Sequence, residues 1–469
     1  MALFKRAEPL DKSNMMFSTK YLVKLMIPLM LQQILNMTVG VVNAVMVSHA
    51  GDAAVSGVSL VNTMDAMLVI FFTALVSGGS VVLSQAVGKN ETGGISNAAK
   101  QLMYAAAIMA CILTTVVLVF RYPLLDALFG SVEQDVMDSA HAYFFPVALT
   151  FPLLAISESI HACLRVDGKT ADSLMVSIVT NIVNIIGNAI FVIVLDLGAF
   201  GSALSTVVIR ILAVIILLIM ITNKKRKVHM ERLLHYKPDL NVIKKILHIG
   251  IPNGIENTLF NFGRLLTQTL IALLPTATIA AHSVALNIAN YQYAVNTAFA
   301  CAVIPVIGQC IGAKREDQAK YYSRLLIKLE YVMMWVVILV TIVLVKPILA
   351  TYDVSAEAKQ LAYWLILTHA VVVAFIYPLG FLLPNIFHAA SDVKFKLFVS
   401  MGSMWGIRIA FAYVLALPEV SVFGLFSFTG FGMGMWGVWI AMMLDWLFRA
   451  ILYTIRFLTD RWLRVKKPN

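Results

Sequence analysis

The chain has 469 residues, of which 60% are hydrophobic and 13% charged, and its formal net charge is +11. Apolar runs longer than the roughly 20 residues that cross a bilayer recur along it, which excludes a soluble globule and makes it a polytopic membrane protein. The basic residues show no interleaving with aromatic ones, so the charge reads as a topology signal and an attraction to anionic headgroups, and a nucleic-acid partner is excluded.

The first segment, MALFKRAEPLDKSNMMFSTK, is too polar for a cleaved signal peptide, so the first span is expected to stay in the protein. Hydropathy then predicts twelve helical spans, near 21–46, 58–85, 101–125, 141–164, 173–195, 201–222, 246–272, 280–307, 323–349, 361–388, 399–417 and 434–458. Lys5, Arg6, Lys12, Lys20 and Lys24 precede or open the first span, and Lys224, Lys225, Arg226, Lys227, Arg232, Lys237, Lys244 and Lys245 follow the sixth. Lys314, Arg315 and Lys320 after span eight and Arg461, Arg464, Lys466 and Lys467 in the tail lie on the same side. The opposite side carries Arg121, Lys346 and Lys359 beside Asp126, Glu133, Asp135 and Asp138. The positive-inside rule therefore places both termini in the cytoplasm, with the protein in the plasma (inner) membrane.

In chain order, the polar residues inside the spans begin with Gln32, Asn36 and Asn43 of span one and Asp65 of span two, which lies about two turns inside the outer surface. Span four holds Glu158 and His161 at i, i+3, read as a pairing, gate or relay. Span five reads NIVNIIGNAIFV, which puts Asn181, Asn184 and Asn188 on one helix face. That face either glues helices together or lines a wet cavity. By helix rise Asn188 sits about 24 Å from the cytoplasmic end and Asn43 about 28 Å, so the two can share a depth. Span seven holds Glu256 and Asn257 in IPNGIENTLFNFG, near the midplane, where Gly250, Pro252 and Gly254 interrupt the helix. Arg408 falls in span eleven, and Asp445 and Arg449 stand at i, i+4 in span twelve, where they neutralise each other. Asp65, Glu158, Glu256 and Asp445 are the acidic residues read inside spans. Glu256 is the expected cation site, against the alternative that it merely pairs with Arg264 or Arg408.

Three landmarks recur at one offset of about 224 residues. Ile27 and Pro28 return as Ile251 and Pro252, VSGVSL (Val55 to Leu60) overlies IAAHSV (Ile279 to Val284), and Gln85-x-x-Gly88 returns as Gln309-x-x-Gly312. Six spans per copy is an even number, so the copies enter the membrane in the same direction as a parallel repeat about an axis along the normal. The expected organisation is an N-lobe over 1–222, a basic cytoplasmic linker over 223–245 and a C-lobe over 246–469. Cys111, Cys163, Cys301 and Cys310 form no CxxC or Cys/His cluster, and the five histidines read in or beside spans have no metal-ligand spacing. No HExxH, GxSxG, Walker A or aspartate-rich diphosphate motif supports an enzyme or ATP-driven transport.

VVNAVMVSHAGDAAVSGVSL resembles the first-span signature of the multidrug and toxic compound extrusion (MATE) transporters, and GVWIAMMLDWLFRAILYTIRFLTDRW their twelfth span. LRVDGKTADS and VVLSQAVGKN are similar to family words at the ends of spans four and two, and the resemblance covers nearly the whole chain. It implies twelve helices in two lobes of six and alternating access. It implies export of amphipathic, often cationic, organic compounds in exchange for H+ or Na+, with no further cofactor. The family pattern has acidic residues where Asn43 and Asn188 stand, and one branch adds an aspartate in span ten, where Leu361 to His388 here carries none. An amide cannot exchange a proton. The resemblance then leaves Glu256, for sodium or a proton, with Arg408 and Asp445 in the coupling network. Gln32, Asn36, Asn43, Asn181, Asn184, Asn188 and Asn257 are expected to line the substrate cavity. Expected partners are small-molecule substrates and the bilayer, with the protein a monomer. The alternative is a lipid or lipid-linked saccharide flippase, marked by a cationic cavity for which Arg264 and Arg408 are the candidates. A non-transporting receptor or scaffold is the third reading.

Overall fold

A bilayer offers backbone N–H and C=O groups no partner, so spanning segments must bond internally as helices. The computed structural model describes residues 14–90, 92–130, 132–231, 233, 235–422 and 426–464, so Lys5, Arg6, Lys12, Arg232, Lys466 and Lys467 of the topology argument lie outside the described residues. In chain order the helices are α1 (Thr19–Ser48), α2 (Asp52–Lys89), α3 (Thr92–Val119), α4 (Arg121–Phe129), α5 (Gln134–Leu149), α6 (Phe151–Val166), α7 (Thr170–Asn188) and α8 (Gly198–Ile221). They continue as α9 (Leu240–Ile271), α10 (Thr276–Gly312), α11 (Glu316–Thr351), α12 (Ala356–Phe381), α13 (Leu383–Ala389), α14 (Val393–Ser403), α15 (Ala410–Ala416) and α16 (Met435–Leu458).

The protein is an all-α polytopic membrane protein of two six-helix repeats. Among the described residues, ten stretches, two of them running on through a break between helices, are long and apolar enough to cross a bilayer, and the pair α5 and α6, bent by 50°, makes an eleventh span. The twelfth is α9, which runs for 32 residues although Asn253, Glu256, Asn257 and Asn261 dilute its apolar character. One departure from all-helical structure follows α15. Glu419–Val422 (β1) pairs antiparallel with Phe426–Thr429 (β2), where Val and Phe alternate with Ser and Thr between Pro418 and Gly430.

The described residues cluster into two compact units. One comprises Phe17–Gly254 and Gly308–Lys314, the other Met1–Met16, Ile255–Ile307 and Arg315–Asn469. In the first, α2 packs on α5, α3 and α6, and α8 on α5 and α7, around Phe72, Leu102, Phe144, Phe151 and Leu164. The bend between α5 and α6 comes at Pro152, whose ring cannot follow the carbonyl four residues back and whose nitrogen lacks a donor. Arg210 of α8 fills the break, its Nη1 donating to Thr150 Oγ1 at 2.9 Å and to the Val147 carbonyl at 3.4 Å.

The repeated Gln-x-x-Gly words meet each other inside this first unit. A Cβ on Gly88 would lie 2.1 Å from the Gln309 carbonyl oxygen, and one on Gly312 would lie 2.1 Å from that of Gln85. One Cβ-less turn of α2 and its counterpart in α10 thus admit each other's backbone reciprocally. At the repeat-equivalent pair, Gly308 sits against Ser84, where an added Cβ would come within 2.6 Å of the serine Cβ.

The basic stretch after α8 is tied to the same unit at several points. Arg226 bridges Asp172 at 2.8 Å and Asp167 at 3.9 Å, and Asp167 Oδ1 also accepts from the Val228 N–H. Burial holds the Asp167 carboxyl above its ordinary range, against the pull of the Val228 N–H and Arg226. Further along, Gln101 donates to the Lys237 carbonyl and accepts from the Tyr236 hydroxyl, and Asp239 accepts from Asn97 while capping the start of α9. The second unit uses a matching clamp. Asp392, between α13 and α14, takes two hydrogen bonds from Arg456 of α16, at 2.6 and 3.0 Å.

Replacing Gly88 or Gly312 with leucine is expected to destabilise the protein by on the order of 1–3 kcal/mol, because the obstructing atoms are backbone and cannot swing aside. Gly402→Ala, where an added Cβ meets nothing within 4 Å, should leave stability unchanged or slightly raised. Thermal unfolding of the purified variants in detergent measures both.

Candidate functional site

Polar side chains inside the spans gather in two sets of different chemistry, one in each unit. The first is neutral. Asn188 closes α7 and is 1% exposed, and its Nδ2 donates to Asn43 Oδ1 of α1 at 3.2 Å and to Asn184 Oδ1 at 3.3 Å. Its own Oδ1 has no hydrogen-bond partner. Directly after it, Ala189–Val194 winds as a wider π turn, a device found disproportionately where a helix carries function. About three to four turns nearer the α7 start, Gln32 of α1 donates to Ser177 Oγ at 2.7 Å, and His161 Nδ1 of α6 lies 2.7 Å from Ser173 Oγ. These groups tie α1, α6 and α7 together. Asn181 is half-buried and Asn36 exposed.

Two acidic residues in this unit are handled differently. Asp65 meets Arg210 through both carboxylate oxygens at 3.1 Å, so the arginine that repairs the α5–α6 bend also neutralises the one acid of α2's interior. Arg210 is absent from the sequence-based set, although it lies within the expected sixth span. Glu158 is half-buried and makes no hydrogen bond or ion pair with described residues, and it does not meet His161.

The second unit holds the charged set. Glu256 of α9 is buried and faces Lys396 of α14, with Nζ to Oε2 at 3.2 Å. Neither arginine offered by the sequence as its partner takes that place. Lys396 escapes the sequence reading because it lies three residues before the expected start of span eleven, while α14 in fact begins at Val393. Asp445 of α16 is fully buried and shared by two arginines. Arg449 Nε donates to Oδ1 at 2.8 Å, and Arg408 Nη1 lies 3.9 Å from Oδ2. Arg449 reaches on to the Ser400 hydroxyl and carbonyl and lies over the Phe260 ring at 4.8 Å. Arg408 sits in a second π turn, Met404–Ile409, and its Nε has no hydrogen-bond partner. Arg264 is exposed and forms no ion pair with described residues. Asn257 is half-buried and its carbonyl accepts from Asn261.

A fifth acidic residue belongs inside the expected spans. Glu330 falls within 323–349, in YYSRLLIKLEYVMMW, and is fully buried in α11. Its signal in the sequence is that it is the one acid of the expected span, beside the cations Arg324 and Lys328. No group of three or more His, Cys, Asp or Glu side chains suited to a metal ion occurs among the described residues. The neutral set can bind by hydrogen bonds alone, whereas the charged set can exchange one cation for another.

A family model described as MatE matches residues 28–190 and again 252–414, two copies displaced by 224 residues. The chain is similar to a probable multidrug resistance protein NorM of Thermotoga maritima, 23% identical over 98% of this chain and 96% of that protein. Its fold is similar to that of a multidrug resistance MATE transporter of the MOP superfamily solved in an outward-facing conformation, with a TM-score of 0.83 at 18% identity over 95% of this chain and 97% of the other. It is equally similar, with a TM-score of 0.83 at 17% identity over the same shares, to a MOP superfamily transporter from Pyrococcus furiosus whose binding pocket has reverse polarity, suggesting a different function.

Asn188→Leu removes the amide that joins α7 to α1 and should lower stability by on the order of 1 kcal/mol. Asn36→Leu, at an exposed position that makes no side-chain hydrogen bond with described residues, should lie close to the parent protein. Equal shifts for the two variants in a thermal unfolding series would remove the structural role assigned to the Asn188 bonds.

Proposed function

As the chain belongs to the MATE family of multidrug efflux transporters, we propose that it is a cation-coupled antiporter that exports amphipathic, often cationic, organic compounds by alternating access. The observation that carries the coupling is the Glu256–Lys396 pair, a buried carboxylate one turn after Pro252 in α9, which stays helical from Leu240 to Ile271 although the sequence predicts an interruption at Gly250, Pro252 and Gly254. A proton or sodium ion arriving at Glu256 competes directly with the Lys396 ammonium, so binding of the ion and release of the lysine are one exchange. Taking away either partner alone leaves a buried charge uncompensated. This reading makes the protein a transporter and not an enzyme, needing no cofactor beyond the coupling ion. It works as a monomer in the plasma membrane with both termini cytoplasmic, on small molecules and without nucleic acid.

A second reading has support in the charge balance of the C-terminal unit. Arg264, Lys396, Arg408 and Arg449 stand there against Glu256 and Asp445, and Arg408 has only a distant share of Asp445. The positions at which the family pattern carries N-lobe acids are the amides Asn43 and Asn188. Together these features fit an anionic substrate, such as a phosphate-bearing lipid or lipid-linked saccharide.

Efflux from proteoliposomes under an imposed proton or sodium gradient tests both readings. A cationic dye should be expelled under one of the gradients. Glu256→Gln should reduce that efflux to the rate without a gradient, and the double variant Glu256→Gln with Lys396→Met should recover stability without recovering coupling. Gradient-driven efflux at parental rates in Glu256→Gln would refute the coupling role. Transport of a phosphate-bearing lipid in place of the dye would establish the second reading.

Orientation has its own check. In a cysteine-free background, a cysteine at Lys227 should be shielded from an impermeant thiol reagent in intact cells, while one at Asp135 is labelled.

A further inference from the structure

Helices α10 and α11 carry a buried polar cluster that neither the amide set nor the Glu256 network uses. Glu330 is 0% exposed. Its Oε1 accepts a hydrogen bond from Asn296 Nδ2 of α10 at 2.6 Å, its Oε2 has no hydrogen-bond partner, and no described cation lies within ion-pairing distance. One turn before Asn296, on the same face of α10, Gln292 is also 0% exposed, and both its Oε1 and its Nε2 lack a partner.

Glu330 differs in this from the other carboxylates of the unit. Glu256 has Lys396, and Asp445 has two arginines. A carboxylate without water or a counter-ion is among the most unfavourable groups to bury, and a single amide donor does not offset it. Arg324 and Lys328 share its helix, and neither forms an ion pair with it. Tyr331 on its own helix donates its hydroxyl to the Phe375 carbonyl of α12, the helix that also carries Tyr377. Tyr293 of α10 is engaged with His369 Nε2 at 2.7 Å. A metal cation needs a shell of several oxygens, and the cluster offers two unpartnered ones, Glu330 Oε2 and Gln292 Oε1. A proton needs only one acceptor. Bound to Oε2 it removes the charge and turns that oxygen into a donor, and Gln292 Oε1, one turn from Asn296 on the same face of α10, is an unpartnered acceptor.

We propose that Glu330, with Asn296 and Gln292, is a proton-binding site of this transporter, the proton resting on Glu330 Oε2 and shared toward Gln292 Oε1. This rests on the cation-coupled reading but names a carboxyl apart from the Glu256–Lys396 pair. Only the Oε2–H bond forms and breaks. The proton comes from water and returns to it when α10 and α11 part far enough to wet the cluster.

Infrared difference spectroscopy of the full chain in lipid, with hydrogen–deuterium exchange, reads the site directly. The wild-type protein at neutral pH should show the carbonyl band of a protonated carboxylic acid. Glu330→Gln should abolish it and Glu256→Gln should keep it. Should Glu330→Gln fail to fold, Gln292→Leu serves instead, and the band should move to higher frequency because the acid O–H loses its acceptor. In proteoliposomes, proton-driven efflux by Glu330→Gln should fall to the rate without a gradient. A band that survives Glu330→Gln, or that does not move in Gln292→Leu, overturns the site. Proton-driven efflux by Glu330→Gln at the parental rate overturns its use, as does efflux driven by sodium and not by protons. A wild-type protein that answers to neither gradient refutes the coupling reading, while the spectrum still decides the site.

Discussion

Hydrocarbon returns nothing to an unmet polar group, and each notable feature of this chain is a way of living with that constraint. Helices dispose of the backbone everywhere except where they break. At the Pro152 bend, Arg210 bonds the Thr150 hydroxyl and reaches the Val147 carbonyl, and the charge that the arginine brings is met in turn by Asp65. One break therefore fixes three side chains, those of Thr150, Arg210 and Asp65. The same logic ties Asn188 to Asn43 and Asn184, and places Lys396 at Glu256.

Duplication shows which solutions belong to the scaffold. Both copies have an aspartate between their fourth and fifth spans, held by an arginine from the end of the sixth span or just beyond it: Asp167 with Arg226, and Asp392 with Arg456. Both widen the fifth span into a π turn, at Ala189–Val194 and at Met404–Ile409. Both end their second span in Gln-x-x-Gly, and there the two copies interlock through backbone that only glycine can admit. Around this shared frame the polar contents diverge. The N-terminal copy ends α7 on an amide just before its π turn, and the C-terminal copy puts an arginine inside its own.

Much of the frame is legible in the sequence because lipid enforces it. Twelve apolar runs, a basic stretch after the sixth and one constant repeat offset all follow from averages over many residues, which single substitutions cannot blur. The partners are another matter. Arg210 is a lone charge inside a run whose mean hydropathy hides it, Glu330 is the one acid of a span that also carries Arg324 and Lys328, and Lys396 lies just outside a span boundary drawn from hydropathy but inside the helix that forms. Which cation meets Glu256 is decided by how α9 and α14 pack, a tertiary fact with no local signature. The hairpin at Glu419–Thr429 was legible in principle, since alternating Val, Phe and Ser between Pro and Gly is a strand pattern, yet a search for long apolar runs passes over it.

The amides at Asn43 and Asn188 shift the burden of any ion exchange onto carboxyl groups, and the carboxyls are ranked by what each already holds. Asp445, held at close range by Arg449 and faced by Arg408, is the hardest to vacate, and its removal would strand two cations. Asp65 is engaged through both oxygens by an arginine that also stabilises a bend, so loosening it would cost the fold a carbonyl partner. Glu256 holds one lysine, whose flexible four-carbon stem lets it leave without disturbing the backbone, and a lysine can be displaced where a bidentate arginine cannot. Among the described residues Glu158 and Glu330 hold no cation, but the first is half-buried and can be compensated by water. The second has no such recourse. A ligand shifts a conformational equilibrium only by its differential affinity for the two states. The carboxyls with most to offer such a shift are those whose counter-charge can change during a cycle, and by this ordering they are Glu256 and Glu330.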